Sequence, residues 1–371
     1  MRIIDYLPHR ARAAILLIAV AGYASADVES HVAPMLPPAN PLPSEARSRD
    51  ATAFSFILYG DTRGSNDGTA LQYDHSQVVD AMLAEIKRLS TTSYPVLFIL
   101  QTGDAVLDGR VARQWNVSFV PLINRLTRDG GVPYFLVPGN HEHTTEPEGL
   151  KNYLEAVSAL IPPEGTPRRL RGHATFSIGY GNLFVIGLDA NVPEDETQYQ
   201  WIKAQLESLD RQRFVHVIVF CHQAPFSSGP HGGPKVEPQT EVLRDRYLPL
   251  FHVHHVRAVL SGHEHLFEHW VEHYTDTTGT HRMDLVVSGG GGAPLYPYTA
   301  EPDLEPYEEA NRSLNVKLKH LVKPGPQDAL SPHHFVVVRV TGDRLSLHVV
   351  GVNSGTTFAP YGAADVELQD P

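Results

Sequence analysis

From residue 53 onward the chain carries short apolar runs, each closed by Gly, Pro or Asn. Residues 54–59, 96–100, 134–137, 183–188, 215–220, 258–260 and 285–287 are rich in β-branched or aromatic side chains and are apolar almost throughout. Runs of that length with little polar alternation predict buried strands. Between them the period changes. Over residues 75–89, Val78, Val79, Met82, Leu83 and Ile86 fall on one face at helical spacing, and residues 196–209 and 241–252 follow the same pattern. Strands alternating with helices predict a layered α/β domain. Near the C-terminus, runs 335–340 and 345–350 flank Thr341-Gly342-Asp343-Arg344, which predicts a hairpin. Residues 293–333 hold prolines and acidic residues without a clean period. A loop that long inside a domain is expected to be a lid or a binding insertion.

The N-terminus follows different rules. Arg2, His9, Arg10 and Arg12 give a basic start, residues 13–21 (AAILLIAVA) are apolar, and Ala24-Ser25-Ala26 are small. That order predicts a secretory leader cut after Ala26, and so an exported protein, periplasmic or secreted. The apolar stretch is too short to span ~30 Å of hydrocarbon, and no later stretch is long enough, so no membrane span is expected after leader removal. Residues 27–52 (with APMLPPANPLPSEA) predict a proline-rich linker or extended arm.

Composition narrows the function classes. Apolar residues make up 42% and charged residues 19%, enough apolar side chain for a sizeable core and too little charge for disorder. A net charge of −12, spread along the chain, disfavours a face for a nucleic-acid polymer. Cys221 is the sole cysteine and cannot form an internal disulfide, so stability must come from the core and from any bound metal.

The candidate chemistry lies directly behind the strand runs. Gly60-Asp61, Gly103-Asp104, Gly139-Asn140-His141-Glu142, His222 and Gly262-His263-Glu264-His265 each follow one of them. Alone, a Gly-Asp or Gly-His after a strand is usually a turn. Together they matter more, because ligands of open α/β sheets gather beyond the carboxyl ends of the strands. Carboxylates, a carboxamide and imidazoles converging on one rim are metal-ligating chemistry. No serine or cysteine nucleophile accompanies them.

This order of motifs, from Gly60 to His265, resembles the calcineurin-like metallophosphoesterase superfamily. The nearest likeness is to purple acid phosphatases, through Val219-Phe220-Cys221-His222 and the loop Pro225-Phe226-Ser227-Ser228-Gly229-Pro230-His231. The resemblance implies a four-layer α/β/β/α sandwich over residues 53–371 and hydrolysis of a small phosphate monoester or diester. It implies two divalent or trivalent metal ions (Fe, Mn or Zn), with Asp104 bridging them. Asp61 and His265 would complete the first ion's ligands, and Asn140, His222 and His263 the second's. His141 would protonate the leaving alkoxide or hold a phosphate oxygen, and His231 would contact the substrate phosphate. Such ions outweigh the two carboxylates, attract phosphate to an acidic protein, and yield hydroxide from coordinated water near pH 7.

The pattern departs from that family at the first ion. The histidine expected two residues after Asp61 is Arg63, and the tyrosine expected three residues after Asp104 is Leu107. Neither side chain can ligate a metal. Water, His75, Asp108 or His231 could fill the gap; the site could bind weakly; or Arg63 could clamp phosphate. A bland alternative pairs Arg63 with Asp67 at the surface. Two rival functions follow: a catalytically weak metal- or phosphate-binding protein with Arg63 at the usual histidine position, and a structural surface protein retaining the fold. The glycine run 289–292, with no Gly-Lys-Ser/Thr, predicts close backbone approach rather than a nucleotide loop.

Overall fold

The computed structural model describes residues 30–232, 236–324, 332–352 and 366–368. The expected leader lies outside the described residues. Among the described residues thirteen strands form two sheets, one ordered β13-β12-β11-β1-β2-β3 and the other β10-β8-β9-β7-β6-β5-β4. In the first, β1 (Ala53–Tyr59), β2 (Val96–Gln101) and β3 (Tyr134–Leu136) run parallel. The hairpin β11 (His333–Thr341) and β12 (Arg344–Val352) extends it antiparallel, with short β13 (Val366–Glu367) beyond. In the second, β5 (Leu183–Gly187), β6 (His216–Phe220), β7 (Ala258–Ser261) and β9 (Gly279–Ser288) are parallel. Antiparallel β4 (Phe176–Tyr180), β8 (Phe267–Asp276) and β10 (Lys317–Val322) complete it.

Strand alternation separates the layers. In β6, Ile218 and Phe220 join the core between the sheets, whereas Val217 and Val219 join a second core under the outer helices; β5 and β7 divide in the same way. Both faces are thus covered, which is why these strands read as continuous apolar runs. Helices Tyr73–Leu89 and Val120–Arg128 pack on the first sheet, the former through Val78, Val79, Met82, Ile86 and Leu89. Helix Glu196–Glu207 and the segment Pro238–Val253 cover the second. The result is the α/β/β/α sandwich implied by the motif order.

Among the described residues two helical stretches carry a π turn. The expected helix over 241–252 is interrupted by a π turn at Leu243–Tyr247, and the same happens at Trp115–Phe119. In each case a proline, Pro249 or Pro121, stands two residues past the turn. A proline cannot donate to the preceding turn, and the ladder widens to i→i+5 there. The expected hairpin closes through Gly342 at φ 60°, a left-handed turn position that glycine adopts without strain. Residues 293–324, unassigned from periodicity, contain helix Glu305–Ala310, a 3₁₀ turn and strand β10.

Residues 30–52 carry no strand and lie along the domain. Val32 and Met35 are buried in the main core. Met35 N donates to Ala156 O at 2.9 Å, Ala39 N to Thr127 O at 2.8 Å, and Asn116 Nδ2 to His31 O at 2.7 Å. Truncation of a fully buried methionine costs about 2–5 kcal/mol. Met35→Ala is therefore expected to lower the free energy of unfolding by that amount in urea titration, whereas a swinging linker would leave the midpoint unmoved.

Candidate metal centre

Because β1, β2 and β3 are parallel and β6 and β7 are parallel, the residues that follow them reach one rim of the sandwich. Three adopt left-handed backbone there: Asp61 at φ 61°, Asp104 at φ 54° and His263 at φ 70°. That conformation costs an L-residue roughly 1–2 kcal/mol, and the surrounding loops hold it. Asp61 N donates to Gly103 O, Thr62 N and Arg63 N donate to Asp104 O, and His263 N donates to both Asp61 carboxylate oxygens at 3.0 Å. Gly103 makes the approach possible: a Cβ there would lie 2.5 Å from Gly139 N and 2.7 Å from His222 Nδ1. The glycine run 289–292 likewise passes close, with Gly291 N donating to Gly60 O and Ala293 N to Asp61 O.

Hydrogen bonds fix which ring nitrogens carry protons. His222 Nδ1 lies 2.8 Å from Thr102 O. A carbonyl only accepts, so Nδ1 donates and Nε2 presents its lone pair. Burial pushes the His222 pKa down to about 4, which keeps the ring neutral. His263 Nε2 lies 3.0 Å from Glu237 Oε2 and donates to it, so in the neutral ring Nδ1 is the bare nitrogen. The two bare nitrogens face each other at 3.0 Å. Around His222 Nε2 stand Asn140 Oδ1 at 2.9 Å and Asp104 Oδ1 at 3.3 Å. Four lone-pair donors converge with no proton assigned between them.

Beside them lies a second group. His265 Nδ1 donates to Pro294 O at 2.5 Å, and its Nε2 points at Asp61 Oδ1, 3.6 Å away. Burial lowers His265 to about 3. Burial and the neighbouring Asp104 charge push Asp61 well above the usual carboxylate range. Ligand atoms of Asp61, Asp104 and His222 lie within 4.8 Å of one another. A divalent cation would relieve both the carboxylate repulsion and the facing lone pairs. The residues present fit a two-ion centre of nitrogen and oxygen donors, which suits Fe, Mn or Zn and includes no thiolate.

The remaining candidates surround this pair. His141 N donates to Asp104 Oδ1 at 3.1 Å; its Nδ1 donates to Leu107 O, and its Nε2 lies 3.9 Å from Asp104 Oδ2. Arg63 Nε lies 3.3 Å from Asp104 Oδ2. The surface pairing of Arg63 with Asp67 does not form, because Asp67 instead accepts from Gly64 N, Leu107 N and Gln72 Nε2. Of the candidates for the gap at the first ion, His75 is held by Tyr59 OH and Gln72 Oε1, and Asp108 by Arg110. His231 lies against His263 and Glu237, and its ring also packs near Tyr296.

Sequence reasoning missed the residues that hold the ligands. Glu142, fully buried, accepts from Asp104 N, Ala105 N and Gly139 N and so ties the loop after β2 to the loop after β3. Its place in Gly-Asn-His-Glu was the available signal. Glu237 bridges His231 and His263 across a turn that no period reveals, and these hydrogen bonds hold it well below the usual carboxylate range. Glu268, on β8, accepts from Ser227 Oγ, Ser228 N and Trp270 Nε1, pinning the loop that carries His231. Tyr296 stacks on the His265 ring at 4.0 Å and 13°.

Comparison with known proteins adds a family. A sequence model of the family described as calcineurin-like phosphoesterase matches residues 55–267. Purple acid phosphatase 18 of Arabidopsis thaliana is 25% identical over 173 residues, 46% of this chain and 37% of that protein. An uncharacterized protein of Mycobacterium tuberculosis is 27% identical over 157 residues, 37% of this chain and 27% of its own length. The chain spans less than half the length of these curated relatives. Among solved structures, purple acid phosphatase PPD1 from yellow lupin (Lupinus luteus) has a TM-score of 0.59 at 18% identity, covering 84% of this chain and 53% of that one. This last likeness concerns the fold alone.

A carboxylate that orients a ligand imidazole typically contributes about 10–100-fold in metal affinity. Glu237→Gln is expected to weaken one class of metal site by that factor in calorimetric titration, leaving the other class unchanged; equal loss at both would refute a local role. Since Leu107 replaces the usual tyrosine, iron-loaded protein is expected to lack a strong visible tyrosinate band. A band that disappears in Tyr296→Phe would overturn this and place that phenol on the ion.

Proposed function

The chain belongs to the calcineurin-like phosphoesterase family, and from that premise we propose that it is a hydrolase that cleaves a small phosphate monoester or diester using two metal ions at the rim. The observation that carries this reading is the meeting of bare His222 Nε2 and His263 Nδ1 at 3.0 Å, beside Asn140 and Asp104. Asp61, His265 and Asp104 would hold the first ion, and Asn140, His222, His263 and Asp104 the second. When bound, the ions supply positive charge against phosphoryl oxygens and acidify water near neutral pH.

The chain's own groups do the rest. His141, anchored through Nδ1 at Leu107 O, would hand a proton from Nε2 to the leaving oxygen in its doubly protonated form. Arg63 uses Nε on Asp104, and its terminal fork is free to grip a phosphate oxygen pair. His231, whose pKa is raised by its Glu237 hydrogen bond, stays cationic toward neutral pH and suits the same phosphate. The basic, apolar and small-residue order of the N-terminus supports an exported activity, periplasmic or secreted. The Arg63–Asp104 contact also favours a second reading, in which the guanidinium replaces the first ion and leaves a catalytically weak phosphate binder.

Reconstitution with Fe, Mn or Zn, metal counting and an aryl phosphate assay separate the two. The enzymatic reading expects two ions per chain and turnover that Asp104→Asn and chelation both abolish; one ion and tight phosphate binding without turnover would favour the second. His141→Ala is expected to lower kcat by about 10²–10⁴-fold with metal content intact, the range for a general acid. Because His231 acts as a cation with a raised pKa, kcat/KM should fall as pH rises through that pKa, and His231→Ala should remove that limb of the profile. An unchanged alkaline limb would exclude the phosphate contact.

A further inference from the structure

At the end of the second sheet away from the rim, three side chains able to ligate a metal meet outside the centre described above. β8 begins just after His265 and runs ten residues to Asp276, so roughly 30 Å of strand separates the two places. There the chain turns into β9 through Thr277 and Thr278, with Asp276 paired to Gly279 and Tyr274 to His281. Strand alternation puts Asp276 and Tyr274 on one face, so Asp276 and His281 are diagonal neighbours on it. His255 meets them from the loop before β7. Its Nε2 lies 2.8 Å from Asp276 Oδ2, and His281 Nε2 lies 3.0 Å from Asp276 Oδ1. The two imidazole rings stack at 4.0 Å and 18°. One ligand atom from each of the three residues lies within 4.8 Å of the others.

The surroundings hold the cluster in place. Asp276 Oδ1 accepts from Thr278 N, Thr278 Oγ1 and Gly279 N, which fixes its carboxylate over the turn. Buried Tyr274 packs beside His281, ring centroids 5.2 Å apart. His255 stands at φ 47°, a left-handed backbone that is costly for an L-residue and free for glycine. Strain of that kind is a pointer to function where the neighbours over-determine it, and here it delivers the ring to the carboxylate. Arg211, the cation at this loop, donates to the main-chain oxygens of His254 and His255. The three side chains are 22–37% exposed, so an ion and its water can reach them. Two imidazole nitrogens and a carboxylate are a donor set that holds zinc, with water in the remaining position.

We propose that His255, Asp276 and His281 form a further site for a divalent cation of the zinc class, separate from the rim, which ties the β8–β9 turn to the loop before β7. A small turn of the two part-exposed rings brings both Nε2 lone pairs onto one ion, which takes the place of the two hydrogen bonds to Asp276. Imidazole ligands suit Zn, Cu and Ni, whereas the harder Mg and Ca prefer an all-oxygen shell. The site stands independently of the phosphoesterase reading.

The test titrates zinc into the metal-free full chain by calorimetry and counts the ions bound. His255→Ala and His281→Ala are each expected to weaken one class of site by about 100-fold, what losing an outer-shell partner can cost and a floor for losing a ligand. Each variant then binds one zinc ion fewer per chain in the micromolar range. Asp276→Asn keeps an acceptor for the turn, serves if a histidine variant does not fold, and is expected to weaken the same class. Turnover of 4-nitrophenyl phosphate by the metal-saturated chain should be unchanged in all three. An equal count in the unsubstituted and substituted chains, or a lost class that fills only at millimolar zinc, overturns the proposal. Turnover lost together with the ion overturns it too, since the ion counted would then belong to the rim. If the unsubstituted chain takes up one ion and the variants none, this site stands and the two-ion reading of the rim falls.

Discussion

Two imidazole nitrogens without protons, 3.0 Å apart and flanked by a carboxylate and a carboxamide oxygen, are the constraint around which the rest of the molecule is arranged. Such a meeting is repulsive unless a cation or proton sits between the partners. His222 does not supply that proton, because burial pushes its pKa down to about 4. The hydrogen bonds at the far side of each ring remove the other escape. Thr102 O fixes the His222 tautomer and Glu237 holds His263 Nε2, so a neutral pair has no donor between the rings. What remains is an electron-rich hollow whose natural occupant is a metal ion.

The sandwich builds that hollow from complementary halves. Oxygen donors Asp61, Asp104 and Asn140 follow strands of the first sheet; nitrogen donors His222, His263 and His265 follow strands of the second. Neither sheet alone can assemble the centre. The positions where the halves meet are also where backbone is strained, at Asp61, Asp104 and His263. Strain of this kind persists only where neighbouring contacts over-determine it. Here they do, through Glu142 across the loops of the first sheet and through the Asp61–His263 contact between the sheets.

The part of this plan legible in the sequence was the part that follows simple periods. Strands β1, β2, β3, β5, β6 and β7 are buried and appear as uninterrupted apolar runs, and the residues directly behind all but β5 are the ones brought together. Strand β8 was not legible, because FEHWVEHYTD buries its polar side chains. Glu268 meets two serines and Trp270, His269 meets Asp284, and Glu272 meets His252 and Tyr307. All of these partners but Trp270 are distant in sequence, so no local pattern announces that the charges are satisfied. Glu237 and Tyr296 escaped for the same reason, being defined by what they touch. The Arg63–Asp67 pairing failed because Asp67 is claimed by backbone N–H groups, a competitor invisible in side-chain charge patterns.

This division of donors has a thermodynamic consequence for a chain with one cysteine. An ion bound by Asp104 from one sheet and by His222 and His263 from the other would join the two layers at a point where no covalent link exists. Whatever binds the folded state alone stabilises it in proportion to the logarithm of its concentration over Kd, and separated sheets offer no equivalent site. The same ions that would make the rim cationic enough for phosphate would thus hold the sandwich closed at that rim. Elsewhere the layers rely on packing, through buried Val32 and Met35 and through aromatic contacts such as Phe176 on Phe135 across the sheets and on Phe220 within the second. Chemistry and cohesion are concentrated at one edge because both depend on the same convergence of lone pairs.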